Sequence, residues 1–267
     1  MPKKLIAGVD LAWEEAGQGA PVVLLHAFPL HRGMWAAQRE ELARNYRVIT
    51  PDFRGHGESG AADEDSTMER LAEDVRGLLD ELGLERVVLG GLSMGGYVAF
   101  AFYRRYAKRV AALILADTRA GADTPEAHKG RYELAAVAEH QGSEAVAERL
   151  LTRLFAPITP DRQPAVVAAA REMIRAASPA GIARALRGMA ARPDSTPLLR
   201  KINCPTLVMV GAEDALTPLA EAEAMAKSIH GAQFEMLRGA GHLSNLEQPA
   251  KFTKRLGDFL ESLPPLK

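Results

Sequence analysis

The sequence predicts an α/β protein: a mainly parallel, doubly wound sheet with a helical cap inserted between two of its strands. Three observations predict it. Short aliphatic runs alternate with longer stretches of helical period; those runs lack apolar/polar alternation; and one long helix-rich segment interrupts the series. Strands that are apolar on both faces belong to sheets covered by helices on either side. Alternation of strand and helix implies parallel crossover units.

Residues 3–15 suggest an antiparallel hairpin ahead of the parallel part. Residues 22–25, 48–50, 87–89 and 112–115 are short, aliphatic and bounded by Gly, Pro or charge, as strands are. Between them, residues 67–82 place Met68, Leu71, Val75, Leu78, Leu79 and Leu82 on one side of a helix. Ser66 is its expected N-cap and Gly83 its stop. From residue 118 to about 193 no strand is predicted. Ala/Arg/Glu-rich helices there are punctuated by Pro125, Pro157, Pro160, Pro164 and Pro179. Alternation resumes with strands over 206–210 and 234–237 and a closing helix from about residue 248. The expected division is a core formed by residues 1–117 and 196–267 and a cap formed by 118–195. A cap so inserted lies over the carboxyl edge of the sheet, where open α/β sheets bind ligands.

A chain of 267 residues, 47% of them hydrophobic, fits one such domain with an insertion better than two separate domains. With 33 basic against 34 acidic side chains, it lacks the basic footprint of a nucleic-acid binder. The expected partner is a small, roughly neutral molecule. The single cysteine, Cys204, excludes an intrachain disulfide and a four-cysteine zinc site, and is expected to be a small buried hydrophobe. No apolar run approaches the ~20 residues that cross a bilayer, so no membrane partner is expected. The N-terminal stretch lacks the apolar core of a secretion signal, which makes a cytoplasmic location the expectation. Nothing in the sequence indicates the oligomeric state.

The strongest chemical signal is Gly91-Leu92-Ser93-Met94-Gly95, between a predicted strand and a predicted helix. At such a turn the serine is strained and exposed, and glycines flank it because a Cβ would clash. The helix start beyond it offers N–H groups and positive potential to a developing oxyanion. A serine hydroxyl needs a base, and His242, set in Gly239-Ala240-Gly241-His242-Leu243 after the last strand, is the candidate. The base needs a carboxylate to hold its tautomer. Asp214, after the strand over 206–210, is favoured; Glu213 and Asp117 are the alternatives. The order Ser, Asp, His then follows one of the known chain orders for this set. Two backbone donors are expected for the oxyanion, Met94 N–H and Phe28 N–H, because Pro29 has none. His26 is expected to bond neighbouring loops. In Asp52-Phe53-Arg54-Gly55-His56-Gly57-Glu58-Ser59, Asp52 and Arg54 are expected to pair as a buttress, with no direct chemistry from His56.

The His26-Ala27-Phe28-Pro29 loop, the Asp52–Ser59 segment, Gly91–Gly96, Gly211-Ala212-Glu213-Asp214 and Gly239–His242 together resemble the α/β-hydrolase superfamily across nearly the whole chain. The sequence is similar in particular to small bacterial carboxylesterases of thermostable type and to the neighbouring enol-lactone hydrolase and cofactor-free perhydrolase branches. The resemblance implies a triad at Ser93, Asp214 and His242, oxyanion donors at Phe28 and Met94, and no metal or organic cofactor. It implies two-step acyl transfer on a small-molecule ester. Ala27 departs from the glycine common in relatives, and Ser93 argues against the branch with an Asp nucleophile. Trp35, Leu154, Phe155 and Met189 are expected pocket walls, small enough to favour short-chain carboxylic esters. A lactone or enol-lactone hydrolase, a perhydrolase, and a ligand receptor on a hydrolase scaffold are the other readings.

Overall fold

The aliphatic runs become the middle strands of one eight-stranded sheet. The computed structural model describes residues 2–61 and 63–265. The strands are β1 (Lys3–Ile6), β2 (Val9–Ala16), β3 (Ala20–Leu25), β4 (Tyr46–Pro51), β5 (Val87–Leu92), β6 (Val110–Ala116), β7 (Thr206–Gly211) and β8 (Gln233–Leu237). Their spatial order is β1-β2-β4-β3-β5-β6-β7-β8. The β1–β2 hairpin pairs antiparallel, β2 meets β4 antiparallel, and every pairing from β4 to β8 is parallel. All of β5, β6 and β7 is buried, which explains why these runs show no polar alternation.

The chain steps from β3 out to β4, then returns past β3 to β5. That reversal is the switch point at which loops diverge and leave a crevice. The register sets Leu25 beside Gly91 and Gly91 beside Leu115, so β3, β5 and β6 deliver their carboxyl ends to the same edge.

Helices α1 (Ala36–Leu42), α2 (Met68–Glu81) and α3 (Met94–Tyr106) cover the sheet. In α2 the predicted stripe Met68, Leu71, Val75, Leu78 and Leu79 is buried. Its cap is Thr67, not the expected Ser66: Thr67 Oγ1 accepts from Arg70 N at 3.2 Å. Ser66 lies one residue too early to reach the first turn, and its N–H donates instead to Arg184 O at 3.3 Å. Gly83, at φ +65°, ends the helix as expected.

Between β6 and β7 run α4 (Pro125–Leu154), α5 (Thr159–Arg162), α6 (Pro164–Ala176), α7 (Pro179–Ala190) and α8 (Thr196–Leu199). Pro125, Pro164 and Pro179 each open a helix, where a missing N–H costs nothing. Helix α4 is broken at Gly142, and it packs along α6 and α7. Helices α9 (Leu219–Ser228), α10 (Ser244–Glu247) and α11 (Pro249–Glu261) complete the chain, with α11 beside α1.

Three sequence expectations are corrected in this framework. Asp52 and Arg54 do not pair with one another. Asp52 takes the Arg32 guanidinium, the Arg32 N–H at 2.7 Å and the Glu58 N–H at 2.9 Å, while Arg54 turns the other way onto Asp74, with Nε 2.6 Å from Oδ2. Positions two apart on a strand would share a face, but the strand ends at Pro51 and the chain turns at Arg54 and Gly55, which sends the two side chains to different partners. Trp35 does not line a pocket. It is buried in the core, its ring centroid 5.9 Å from that of Phe252 between α1 and α11. Cys204 is half-buried rather than fully enclosed, and burial still pushes its thiol pKa up.

The Arg54–Asp74 pair is almost wholly out of water, and burial pushes the Asp74 carboxyl up despite its partner. Removing one member leaves the other charge stranded. Asp74→Ala is therefore expected to lose about 3–5 kcal/mol of stability, measured by urea unfolding.

Candidate active site

Ser93 sits where β5 turns into α3, at φ +55° and ψ −113°. That conformation is costly for a residue with a side chain, on the order of 1–3 kcal/mol, and persists only where the surroundings enforce it. The enforcement is steric and visible on either side. A Cβ on Gly91 would lie 2.2 Å from the Gly95 carbonyl, and one on Gly95 would lie 2.3 Å from the Leu25 carbonyl of β3. Only glycines let the turn close so tightly. The Ser93 N–H donates to Ala116 O at 3.0 Å and its carbonyl accepts from Thr118 Oγ1 at 2.9 Å, so both ends of the residue are tied to the end of β6.

The loop after β8 brings His242 to this serine, with Nε2 2.8 Å from Ser93 Oγ. The turn after β7 brings Asp214 to the other side of the ring, with Oδ2 2.8 Å from Nδ1. Asp214 accepts four bonds. Leu216 N and Thr217 N donate to Oδ1 at 2.8 and 2.9 Å, and Thr217 Oγ1 joins His242 on Oδ2. Burial alone would push this carboxyl up, but His242 and the Thr217 donors outweigh it and hold it below the usual range. An ionised Asp214 only accepts, so His242 Nδ1 carries the proton and Nε2 faces the serine as an acceptor.

The alternative acids do not reach the ring. Asp117 is fully buried but turned away, accepting from Gly211 N at 2.8 Å and bonding Ser244 Oγ at 2.5 Å. Burial, together with the nearby Asp214 charge, pushes its carboxyl well above the usual range. No bond links Glu213 to His242 among the described residues; its N–H donates to Ala240 O at 2.9 Å.

On the opposite side lies the loop after β3. Its His26 bonds neighbouring segments, accepting from Phe53 N on Nε2 at 2.9 Å with Nδ1 2.9 Å from Ala27 O. Burial holds His26 well below the usual imidazole range and His56 at about 4, so both rings favour the neutral form. Among the described residues the N–H groups of Phe28 and Met94 donate to no protein acceptor.

Above Ser93 and His242 opens a cavity of about 320 Å³. Phe28 and Tyr97 wall one part, Leu134, Leu150 and Leu154 come from α4, and Leu186 and Met189 from α7. Of the predicted walls, Leu154 and Met189 line it. Phe155 does not: it is buried just past the end of α4, where the chain has turned extended and away from the opening.

Several residues here were not anticipated. Glu247 is buried beneath the His242 loop, accepting from Gly241 N at 2.7 Å on one oxygen and from Ala156 N at 2.8 Å and Thr159 Oγ1 at 2.5 Å on the other. It thus binds the histidine loop to the segment between α4 and α5. No local pattern marks this role, since two of its three partners lie 91 and 88 residues away. The Asp214 turn was legible in principle, because an Asp past a strand end bonds its own backbone two residues on, here Leu216 N. Arg119, Asp123 and Arg131 also border the cavity and lie in stretches with no motif. Among the described residues no group of His, Cys, Asp or Glu is arranged to hold a metal ion, and no helix is long and apolar enough to cross a membrane.

A family model described as the alpha/beta hydrolase fold matches residues 20–249. The chain belongs to the α/β-hydrolase family. A solved thermophilic esterase from Thermogutta terrifontis, with malate bound, is 48% identical to this hydrolase, with a TM-score of 0.96 and 98% of each chain covered. The enol-lactonase from Burkholderia xenovorans LB400 is 33% identical, with a TM-score of 0.92, covering 98% of this chain and 100% of the other. The 3-oxoadipate enol-lactonase 1 of Acinetobacter baylyi is 32% identical over 92% of this hydrolase and 91% of its own length. The resemblance to esterases and enol-lactonases drawn from the motifs is therefore found in whole-chain similarity.

Two buried carboxylates give separable expectations. Glu247→Ala leaves Gly241 N–H and Ala156 N–H without acceptors. It should cost about 2–4 kcal/mol in denaturant unfolding. Asp117→Asn keeps the Gly211 N–H bond on its oxygen and reverses the other, its amide N–H donating to Ser244 Oγ, while removing a carboxyl whose folded pKa is raised. A raised carboxyl pKa penalises the folded state as pH rises above the unfolded value of about 4. The variant should therefore match the parent at pH 4 and exceed its melting temperature at pH 8.

Proposed function

We propose that this hydrolase is a serine carboxylesterase acting on short-chain carboxylic esters through Ser93, His242 and Asp214. The observation that carries the reading is the unbroken chain Asp214 Oδ2–His242–Ser93 Oγ, with 2.8 Å at each junction, at the floor of the cavity. Ser93 Oγ attacks the ester carbonyl carbon as His242 Nε2 takes its proton. The oxyanion that forms is held by Phe28 N–H and Met94 N–H, whose lack of protein acceptors suits them to it. Collapse breaks the bond to the alcohol oxygen, which leaves with the proton from His242. Water then attacks the acyl-enzyme and gives a proton to the same nitrogen; collapse breaks the bond to Ser93 Oγ, which takes that proton back as the acid leaves.

In this reading residues 118–195 act as a cap over a core made of residues 1–117 and 196–267. Leucines from α4 and α7 give the cavity an apolar lining, and about 320 Å³ suits a small acyl group rather than a long chain. A second reading, hydrolysis of lactones or enol-lactones, rests on the similarity to the two enol-lactonases. The same steps apply there, with the leaving oxygen still tethered to the acyl group.

Hydrolysis of 4-nitrophenyl esters from acetate to palmitate tests the proposal. Turnover should peak at short chains and fall by about 10⁴-fold or more in Ser93→Ala. Turnover of lactones with none of any acyclic ester would transfer the conclusion to the second reading.

A further inference from the structure

A net charge of −1 over the whole chain conceals a local imbalance on the cavity wall. Asp123 lies just before α4 and accepts from two guanidinium groups. Arg131 of α4 meets it through Nε and through Nη2 at 3.2 Å, and Arg192, beyond α7, through Nη2 at 2.7 Å. The Asp123 and Arg192 side chains are each 4% exposed, and that of Arg131 is 20% exposed. Burial alone would raise the Asp123 carboxyl, but the two arginines hold it at about 2. The carboxylate is therefore ionised, and two cations share one anion out of bulk water.

The surplus charge faces the cavity. Arg131, Asp123 and Tyr97 all border the opening above Ser93, whereas Arg192 lies behind, its guanidinium 4.2 Å above the Tyr97 ring. Arg192 spends its remaining donors on Met189 O at 2.9 Å and Gly121 O at 3.1 Å. Arg131 is supplied differently. Its Nη1 points at Met189 Sδ, 3.3 Å away, and a thioether is a weak acceptor. Apart from Asp123, the guanidinium thus meets only neutral partners, this thioether and the Tyr97 hydroxyl, on a wall that also carries Leu134, Leu150 and Leu154.

Other charges at the opening do not cancel this surplus. Glu126 is exposed on the rim, where water and salt screen it. Arg119 is matched by Glu221, with Nε 3.3 Å from Oε2, and Arg153 adds a further exposed cation.

We propose that the site selects esters or lactones whose acyl part carries a second, anionic group, a carboxylate that docks on Arg131 beside Tyr97. This rests on the hydrolase reading above and replaces the roughly neutral substrate expected from overall composition. Asp123 sets the strength of the subsite by neutralising one of the two guanidinium groups. A cluster that merely fastened α4 to the end of α7 would have no reason to leave one charge unbalanced at the cavity wall.

Ethyl butyrate and monoethyl succinate test the proposal, because they differ only in a methyl group replaced by a carboxylate. The parent enzyme should show a higher kcat/KM for monoethyl succinate. A hydrogen bond to a charged group is worth about 1.5–3 kcal/mol, so Arg131→Gln should cut the succinate-to-butyrate ratio about 10–100-fold. Asp123→Asn, which frees the second charge, should raise it. A preference for ethyl butyrate in the parent, or an unchanged ratio in Arg131→Gln, would overturn the proposal. Calorimetric titration with succinate separates this from failure of the esterase reading. Binding to the Ser93→Ala protein that is lost on adding Arg131→Gln supports the subsite even if neither ester turns over. No binding of succinate to Ser93→Ala overturns it. If Arg131→Gln does not fold, Asp123→Asn supplies the ratio, and a fall there would sink the idea.

Discussion

Everything at the candidate site hangs on the closeness of the Ser93 turn to the strand beside it. The peptide at Gly95 runs so near the Leu25 carbonyl of β3 that no side chain fits between them. That contact forces Ser93 to φ +55° and lifts its hydroxyl above the sheet edge. The same approach brings the loop carrying Phe28 beside the start of α3. A strained residue survives only when its surroundings leave it no alternative. Here the constraint is the register of β3 against β5, whose paired residues Val22–Leu25 and Val88–Gly91 are all buried.

Two buried aspartates at neighbouring strand ends show how position decides chemistry. Asp214 is met by His242 and three donors from its own turn, so its charge is stabilised. Asp117, after the adjoining strand, has two partners and a like charge nearby, so its neutral form is favoured. The first can orient an imidazole and stabilise its cation. The second joins the end of β7 to Ser244 as a strut. Burial opposes ionisation in both, and the number and sign of the partners decide the outcome.

The helical segment between β6 and β7 is attached to this machinery rather than merely laid over it. Glu247 bonds the backbone on both sides of the junction, at Gly241 and at Ala156, and Leu243 N donates to Leu154 O at 3.0 Å. The histidine loop and the cavity wall are consequently one hydrogen-bonded unit. Leu154 borders the cavity while its carbonyl holds the residue next to His242.

The sequence by itself determined the features that are written locally. The strand-to-helix turn at Ser93, the glycine-set His242, the strand ends carrying Asp214 and Asp117, and the proline starts of α4, α6 and α7 are all short-range patterns with a steric cause. Tertiary structure decided which charges meet. Asp52 took Arg32 and Arg54 took Asp74, 20 residues away in each case, because the chain turns at Arg54 just past the end of β4. It also decided which apolar residues face the cavity: Trp35 went to Phe252 in the core and Phe155 turned inward, whereas Leu154, one residue earlier, lines the opening. Hydrophobicity marks a residue for burial but carries no direction, and a direction exists only once helices and sheet have packed.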